Sequence, residues 1–275
     1  MKHTEASLTA SRLATTTRRL SRTLGLARSL LIYWRPGRQR GLQRLYADFV
    51  GPGDLAFDIG AHLGDRTAAF HALGARVVAL EPQPMPFRWL SQLVGRRHGV
   101  TLLPCAAGAT PGDAELAVSD ATPTVSTLAH DWRRGIGQHN AGFRRVRWQS
   151  RVPVRVTTLD ALIAEYGVPR FCKIDVEGYE ADVLAGLSRP IAGVSVEFVA
   201  GALTVAERCV TRLAALGEYR FNVIAGEGRR YAWPRWRSPE ATLDWLAGGA
   251  DGMASGDLYA RHLDAPATRS PVNHA

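Results

Sequence analysis

A 275-residue chain with 46% apolar and 21% charged residues can bury one sizeable core, which excludes the disordered and fibrous classes. Its three cysteines, Cys105, Cys172 and Cys209, are odd in number and far apart. That excludes a disulfide framework or a Cys-x-x-Cys metal site and suits a reducing compartment.

The formal charge of +9 is not spread evenly, because residues 1–45 hold ten Lys and Arg side chains against Glu5 alone. The rest of the chain balances to zero. A nucleic-acid enzyme should carry its basic surface around its active site, so nucleic acid is not the expected partner. The longest apolar run of the arm, Leu30-Leu31-Ile32-Tyr33-Trp34, is far shorter than the ~20 residues that span a bilayer. No secretory pattern precedes it, and the expected location is cytoplasmic. Residues 1–50 read as a basic helical extension, either solvated or packed on the core. Contact of residues 1–45 with a membrane surface or a protein partner stays open, as does a transit role suggested by their Ser, Thr and Arg content.

Gly51-Pro52-Gly53 is a turn signal that opens the body, residues 51–235. Short apolar runs then alternate with helical periodicities, the pattern of a parallel sheet covered on both faces. Strands are expected at 55–58, 76–80, 100–104, 171–175, 193–198 and 219–224. Helices are expected at 65–73, 86–97, 159–166, 180–187 and 205–216. Residues 108–150 are poorly periodic, with extended segments at 144–149 and 152–157. Residues 229–233 are expected to pair antiparallel with 219–224 and close the sheet. Residues 236–275 read as a C-terminal helical extension with a disordered tail from about Asp264.

Three motifs carry chemistry. In the first, Asp58 ends a strand, Gly60 and Gly64 flank a tight loop, and a helix begins near Asp65. Glycine allows positive φ and close backbone approach to a ligand, and the helix start offers free amides. The spacing is Gly-x-x-x-Gly after an acid, unlike the Gly-x-Gly-x-x-Gly of a dinucleotide fold. Asp58 would repel a pyrophosphate but can accept hydrogen bonds from an ammonium. The second motif is Glu81, which ends the next strand, where an acid can accept from both hydroxyls of a ribose. The third is the block Lys173-Ile174-Asp175-Val176-Glu177-Gly178-Tyr179-Glu180. Alternation puts Lys173, Asp175 and Glu177 on one side while the segment stays extended, at the strand end where open α/β sheets bind ligands. Glu180 reads as a cap for the following helix.

The strings Phe57-Asp58-Ile59-Gly60-Ala61, Leu80-Glu81-Pro82, Val156-Thr157-Thr158-Leu159-Asp160 and Lys173 to Glu180 together resemble the ordered motifs of FkbM-type methyltransferases over roughly residues 50–200. The resemblance implies an α/β class I methyltransferase fold, a Rossmann-like three-layer sandwich. Its seven-stranded, mostly parallel sheet would end in an antiparallel pair. It implies S-adenosyl-L-methionine as cofactor and O-methylation of a hydroxyl on a sugar, glycan or secondary metabolite. Carried over by position, Asp58, Gly60, Ala61, Gly64 and Glu81 would hold the cofactor, with Ser126 near the adenosine. Asp175 and Glu177 would border the acceptor site. His62 stands where such families often have Asn, and either ligand contact or a helix-capping role fits it.

On this reading Asp175 or Glu177 takes the acceptor proton or orients the acceptor, and Lys173 balances their charge. Two carboxylates are compatible with Mg²⁺, but no His/Cys cluster supports a transition metal, and no metal is expected to be required. Two rival readings remain at this level: an NAD-dependent oxidoreductase, and a non-enzymatic binding module on the same fold. Trp132, Trp148, Trp233 and Trp236 offer sugar-stacking faces, with core packing the commoner role for such residues.

Overall fold

The computed structural model describes residue 25 and residues 28–264; the readings for most of the basic arm and for the tail from 265 lie outside the described residues. The central sheet contains β1 (Leu55–Ile59), β2 (Arg76–Leu80), β3 (Val100–Leu103), β7 (Phe171–Ile174), β8 (Gly193–Val199), β9 (Tyr219–Ala225) and β10 (Ser255–His262). Its order is β3-β2-β1-β7-β8-β10-β9. β10 runs antiparallel to both β8 and β9, while the pairs among β1, β2, β3, β7 and β8 are parallel. This is the mostly parallel seven-stranded sheet with antiparallel terminal strands expected of a class I methyltransferase fold.

Alternation along each strand divides the core between two faces. Leu55, Phe57 and Ile59 of β1 face one apolar cluster with Val78, Leu80 and Val194. Ala56 faces the other, with Val77, Ala79, Phe70 and Phe171. All five residues of β1 are buried, as expected for a strand covered on both sides. Strand order reverses between β1 and β7, so the carboxyl ends of β1, β2 and β7 open onto one crevice.

Three expectations need correction. Residues 229–233 form no strand; β9 pairs instead with β10, from Gly256 against Ala225 to His262 against Tyr219. In β10 Leu258 and Ala260 face one cluster and Tyr259 the other, whereas 229–233 ends on Trp233-Pro234 and cannot continue a ladder through the proline. The segment set apart as a C-terminal extension thus supplies a strand inside the sheet. It also supplies a helix, Pro239–Ala247, started by Ser238, whose Oγ accepts from Ala241 N.

The N-terminal helical extension packs into the core from Arg38 onward. The helix α1 (Arg38–Tyr46) buries Leu42 and Tyr46, and Phe49 packs on Phe171 with ring centroids 4.7 Å apart. Residues 106–157 hold a second, three-stranded sheet of order β4-β6-β5, formed by β4 (Ala106–Ala107), β5 (Gly112–Val118) and β6 (Ser150–Thr157). A helix, His130–His139, also lies in this stretch. Residues 144–149 form no strand.

Candidate active site

One cleft gathers the three motifs. It encloses about 970 Å³ including its open mouth, and Asp58, Gly60, Ala61, His62, Glu81, Ser126, Lys173, Asp175 and Glu177 all line it. Gly64 stands just behind, as the residue before the helix α2 (Asp65–Ala72), with φ +76°.

The glycine loop is shaped by its neighbours. Gly60 has φ +85°, and a Cβ there would meet the Asp175 carbonyl oxygen at 1.9 Å. A side chain at 60 would therefore push the β1 and β7 ends apart, beyond its backbone penalty. The amides of this loop are largely used within the protein. Gly60 and Ala61 N both donate to Leu80 O, and Gly64 N donates to Ala61 O. His62 N donates to Glu81 Oε2 at 3.0 Å. The amides of Gly60, Ala61 and His62 thus lock the loop to the end of β2, because parallel pairing brings Leu80 and Glu81 directly under it.

Glu81 is 2% exposed. Its Oε1 accepts from Gln83 N at 2.8 Å and its Oε2 from His62 N. Each oxygen retains acceptor capacity for a ligand hydroxyl. Burial pushes its pKa up to about 7, against the two backbone hydrogen bonds. Asp58, also 2% exposed, accepts from Thr67 Oγ1 of α2 at 2.5 Å, and burial raises its pKa to about 6. Ser126 Oγ donates to Gln83 Oε1 at 2.9 Å. Thr67 and Gln83 were not singled out in the sequence. Thr67 sits at the spacing that returns a helix's first turn to the preceding strand end, while the importance of Gln83 depends on a residue 43 positions away.

His62 adopts φ +48°. Its ring is met edge-on by Tyr33, with centroids 5.7 Å apart, and burial lowers its pKa to about 4, so it is neutral at pH 7. Tyr33 comes from the N-terminal segment. Arg38, buried and paired with Asp65 at 2.9 Å and Glu227 at 2.8 Å, fixes that segment over the cleft.

At the end of β7, Lys173 is 1% exposed, with Nζ 2.9 Å from Asp175 Oδ2 and 3.4 Å from Asp257 Oδ1. Asp257 lies on β10 and was not foreseen, since nothing local links it to residue 173. Burial pulls the Lys173 ammonium down, but Asp175 and Asp257 more than offset it. Burial likewise pushes Asp175 up, and Lys173 and Arg66 together hold it well below the usual carboxylate range.

Beyond Ile174 the chain leaves the strand, and Glu177 takes φ +58°. Glu180 is not the expected helix cap: it is the first helical residue, after Tyr179, and its Oε1 accepts from Val176 N and Gly178 N of the preceding turn. Carboxylate oxygens of Asp175, Glu177 and Glu197 lie within 4.8 Å of one another. Glu197, from β8, was absent from the sequence reading. Glu177 Oε2 and Glu197 Oε2 are buried without a hydrogen-bond partner. Burial, followed by the nearby Asp175 charge, raises both carboxyls well above the ordinary glutamate range. The cluster therefore combines one ionised carboxylate, matched by an ammonium, with two carboxyls that keep their protons more tightly.

The tryptophans are packing residues. Trp132 lies where a Cβ on Gly178 would clash and meets Phe143 and Trp148 edge-on. Trp233 is 6% exposed, in the main cluster, and Trp236 packs on Phe49 and Tyr231.

The methyltransferase FkbM domain profile matches residues 58–207, more than half of the chain. A relative named hexuronic acid methyltransferase AglP, from Haloferax volcanii, is 25% identical over 185 residues, covering 66% of this chain and 70% of the relative. A precorrin-6y C5,15-methyltransferase from Geobacter metallireducens aligns with a TM-score of 0.43 at 10% identity, covering 82% of this chain and 87% of that one. A TehB-like SAM-dependent methyltransferase from Corynebacterium glutamicum aligns with a TM-score of 0.41 at 11% identity, covering 81% and 87%. The family match spans Asp58, the glycine loop, Glu81 and the whole Lys173 to Glu180 block, and by it the chain belongs to the FkbM methyltransferase domain family.

Proposed function

We propose that the protein is an S-adenosylmethionine-dependent O-methyltransferase acting on a hydroxyl of a sugar, a glycan or a related small molecule. The observation that supports it best is the convergence on one cleft of Glu81, at the end of β2, with Asp175 and Glu177, beyond the end of β7. The name of the Haloferax relative supports a sugar-containing acceptor.

The residues present fit the cofactor. Glu81 retains acceptor capacity on both oxygens for the ribose hydroxyls, and Asp58 offers a carboxylate to the ammonium. Gly60 and Ala61 keep the floor free of side-chain bulk, and Ser126 is held at the rim through Gln83. The sulfonium supplies an electrophilic methyl carbon, so the protein's main contribution is alignment of the acceptor oxygen with that carbon.

Asp175, kept ionised by Lys173, orients the acceptor by accepting from a neighbouring hydroxyl of the same molecule. Glu177, whose Oε2 has no other partner, is the group that takes the proton once ionised. Lys173 works as a buried counter-charge. No metal enters this scheme.

Calorimetry with S-adenosylhomocysteine and with NAD tests the cofactor. Binding of the first alone is expected, and binding of NAD alone would overturn the reading in favour of an oxidoreductase. Mass spectrometry of extracts incubated with the protein and isotopically labelled S-adenosylmethionine then identifies the acceptor, with label expected on a hydroxyl oxygen of a sugar-containing compound.

A further inference from the structure

The catalytic reading leaves the N-terminal charge unused. No acidic residue lies between Glu5 and Asp48, a stretch containing nine arginines, and the rest of the chain offers no net charge to match them. Four of these arginines, Arg28, Arg35, Arg40 and Arg44, are exposed, and among the described residues none has an acidic partner within ion-pair distance. Arg38, by contrast, is buried and paired.

Between Arg28 and Arg35, residues 28–33 are helical, and this helix carries two large apolar side chains into solvent: Leu31 is 77% exposed and Ile32 41%. The next two residues point the other way. Tyr33 lines the cleft, and Trp34 Nε1 donates to Leu63 O at 3.1 Å. The segment is therefore fixed to the body through Tyr33 and Trp34, beside the cleft, and leaves Arg28, Leu31, Ile32 and Arg35 exposed.

We infer that this surface docks on an anionic lipid bilayer, with the arginines at the headgroups and Leu31 and Ile32 inserted below them. Cations rimming exposed apolar side chains are the pattern of an interfacial helix, and basic residues near an anionic leaflet add attraction roughly in proportion to their number. A nucleic acid would reward the arginines but not the exposed leucine and isoleucine, because its surface is a phosphate backbone. Among the described residues no helix is long and apolar enough to cross a membrane, so the contact is peripheral. A chain held this way presents its cleft to acceptors at the bilayer surface.

The test is co-sedimentation of the full chain with vesicles of phosphatidylcholine alone and of phosphatidylcholine mixed with phosphatidylglycerol. Partition onto the anionic vesicles is expected to be more than about tenfold stronger and to collapse at high salt. The double variant Leu31→Ser/Ile32→Ser keeps the net charge and should lose partition several-fold, and Arg28→Gln/Arg35→Gln should lose it as well. Both should bind S-adenosylhomocysteine like the parent, which shows that they fold. Four results overturn the inference: equal partition onto both vesicle types, no partition, retention on duplex nucleic acid without vesicle binding, or a self-associated chain that Leu31→Ser/Ile32→Ser dissociates. Vesicle binding is read without turnover, so its failure leaves the methyl-transfer reading intact.

Discussion

The Lys173 ammonium and the Asp175 carboxylate meet at 2.9 Å at the end of β7, with the lysine side chain 1% exposed. The same ammonium reaches Asp257 on β10 at 3.4 Å. One buried cation thus joins the segment that carries the acceptor-side acids to the strand inserted late in the chain. Removing one partner of a buried pair strands the other charge. Because Asp175 is 31% exposed, Lys173→Met should lower stability by less than the roughly 3–5 kcal/mol of a fully buried pair, measured by urea denaturation. A loss within error of zero would mean that solvent reaches Asp175 and Asp257 freely.

The proposed mechanism gives Asp175 and Glu177 separable roles. Asp175→Asn should cut turnover by about 10²–10⁴, the range of a general acid–base or orienting group, while leaving S-adenosylhomocysteine affinity nearly unchanged. Because burial and the Asp175 charge raise the Glu177 carboxyl, it loses its proton late and the rate should climb with pH through that elevated value. Glu177→Gln should remove this limb of the profile. A rate profile that keeps its rising limb in Glu177→Gln assigns the proton to another group.

Glu81 predicts a pH-dependent cofactor affinity. Its pKa is about 7 in the unliganded protein against an ordinary 4.5, and hydroxyl donors prefer its ionised form. S-adenosylhomocysteine should therefore bind more tightly as pH rises through about 7 and level off above it. Stability of the unliganded protein runs the other way. A raised carboxyl contributes stability that is complete below about 4.5 and lost as pH rises through about 7. Glu81→Ala should weaken binding by about 1–3 kcal/mol, and Glu81→Gln should flatten the pH dependence. Titration calorimetry across this range checks both.

The three clustered acids make a statement about metals. The proposed mechanism uses Lys173 beside Asp175 as the counter-charge and requires no divalent ion at Asp175, Glu177 and Glu197. Turnover should survive extensive chelation. Loss of activity on chelation, restored by added Mg²⁺, would instead make Asp175, Glu177 and Glu197 ligands.

The N-terminal boundary is testable by truncation. A chain starting after residue 32 keeps Tyr33, Trp34, Arg38 and α1 and should fold. A chain starting after residue 46 loses the buried Leu42 and Tyr46 and leaves Asp65 without Arg38. It should be destabilised by several kcal/mol, on the scale of a lost buried pair plus core side chains. Equal thermal stability of the two truncations would show that the segment is an appendage.

The sequence by itself determined whatever is written in neighbouring residues: the β1 and β2 runs, the glycine loop, the acids at 58, 81, 175 and 177, and the family. These features are legible because a strand end, its loop and the next helix are contiguous in the chain and share one physical purpose. Tertiary structure alone decided which distant pieces meet. Asp257 reached Lys173 only through the antiparallel insertion of β10. Glu197 joined Asp175 because β8 lies beside β7, and Tyr33 came over His62 because Arg38 is anchored to Asp65. It also decided protonation, since identical carboxylates are driven apart by burial and by one ammonium. And it turned the amides of Gly60, Ala61 and His62 onto Leu80 and Glu81, because parallel pairing sets the end of β2 beside the loop.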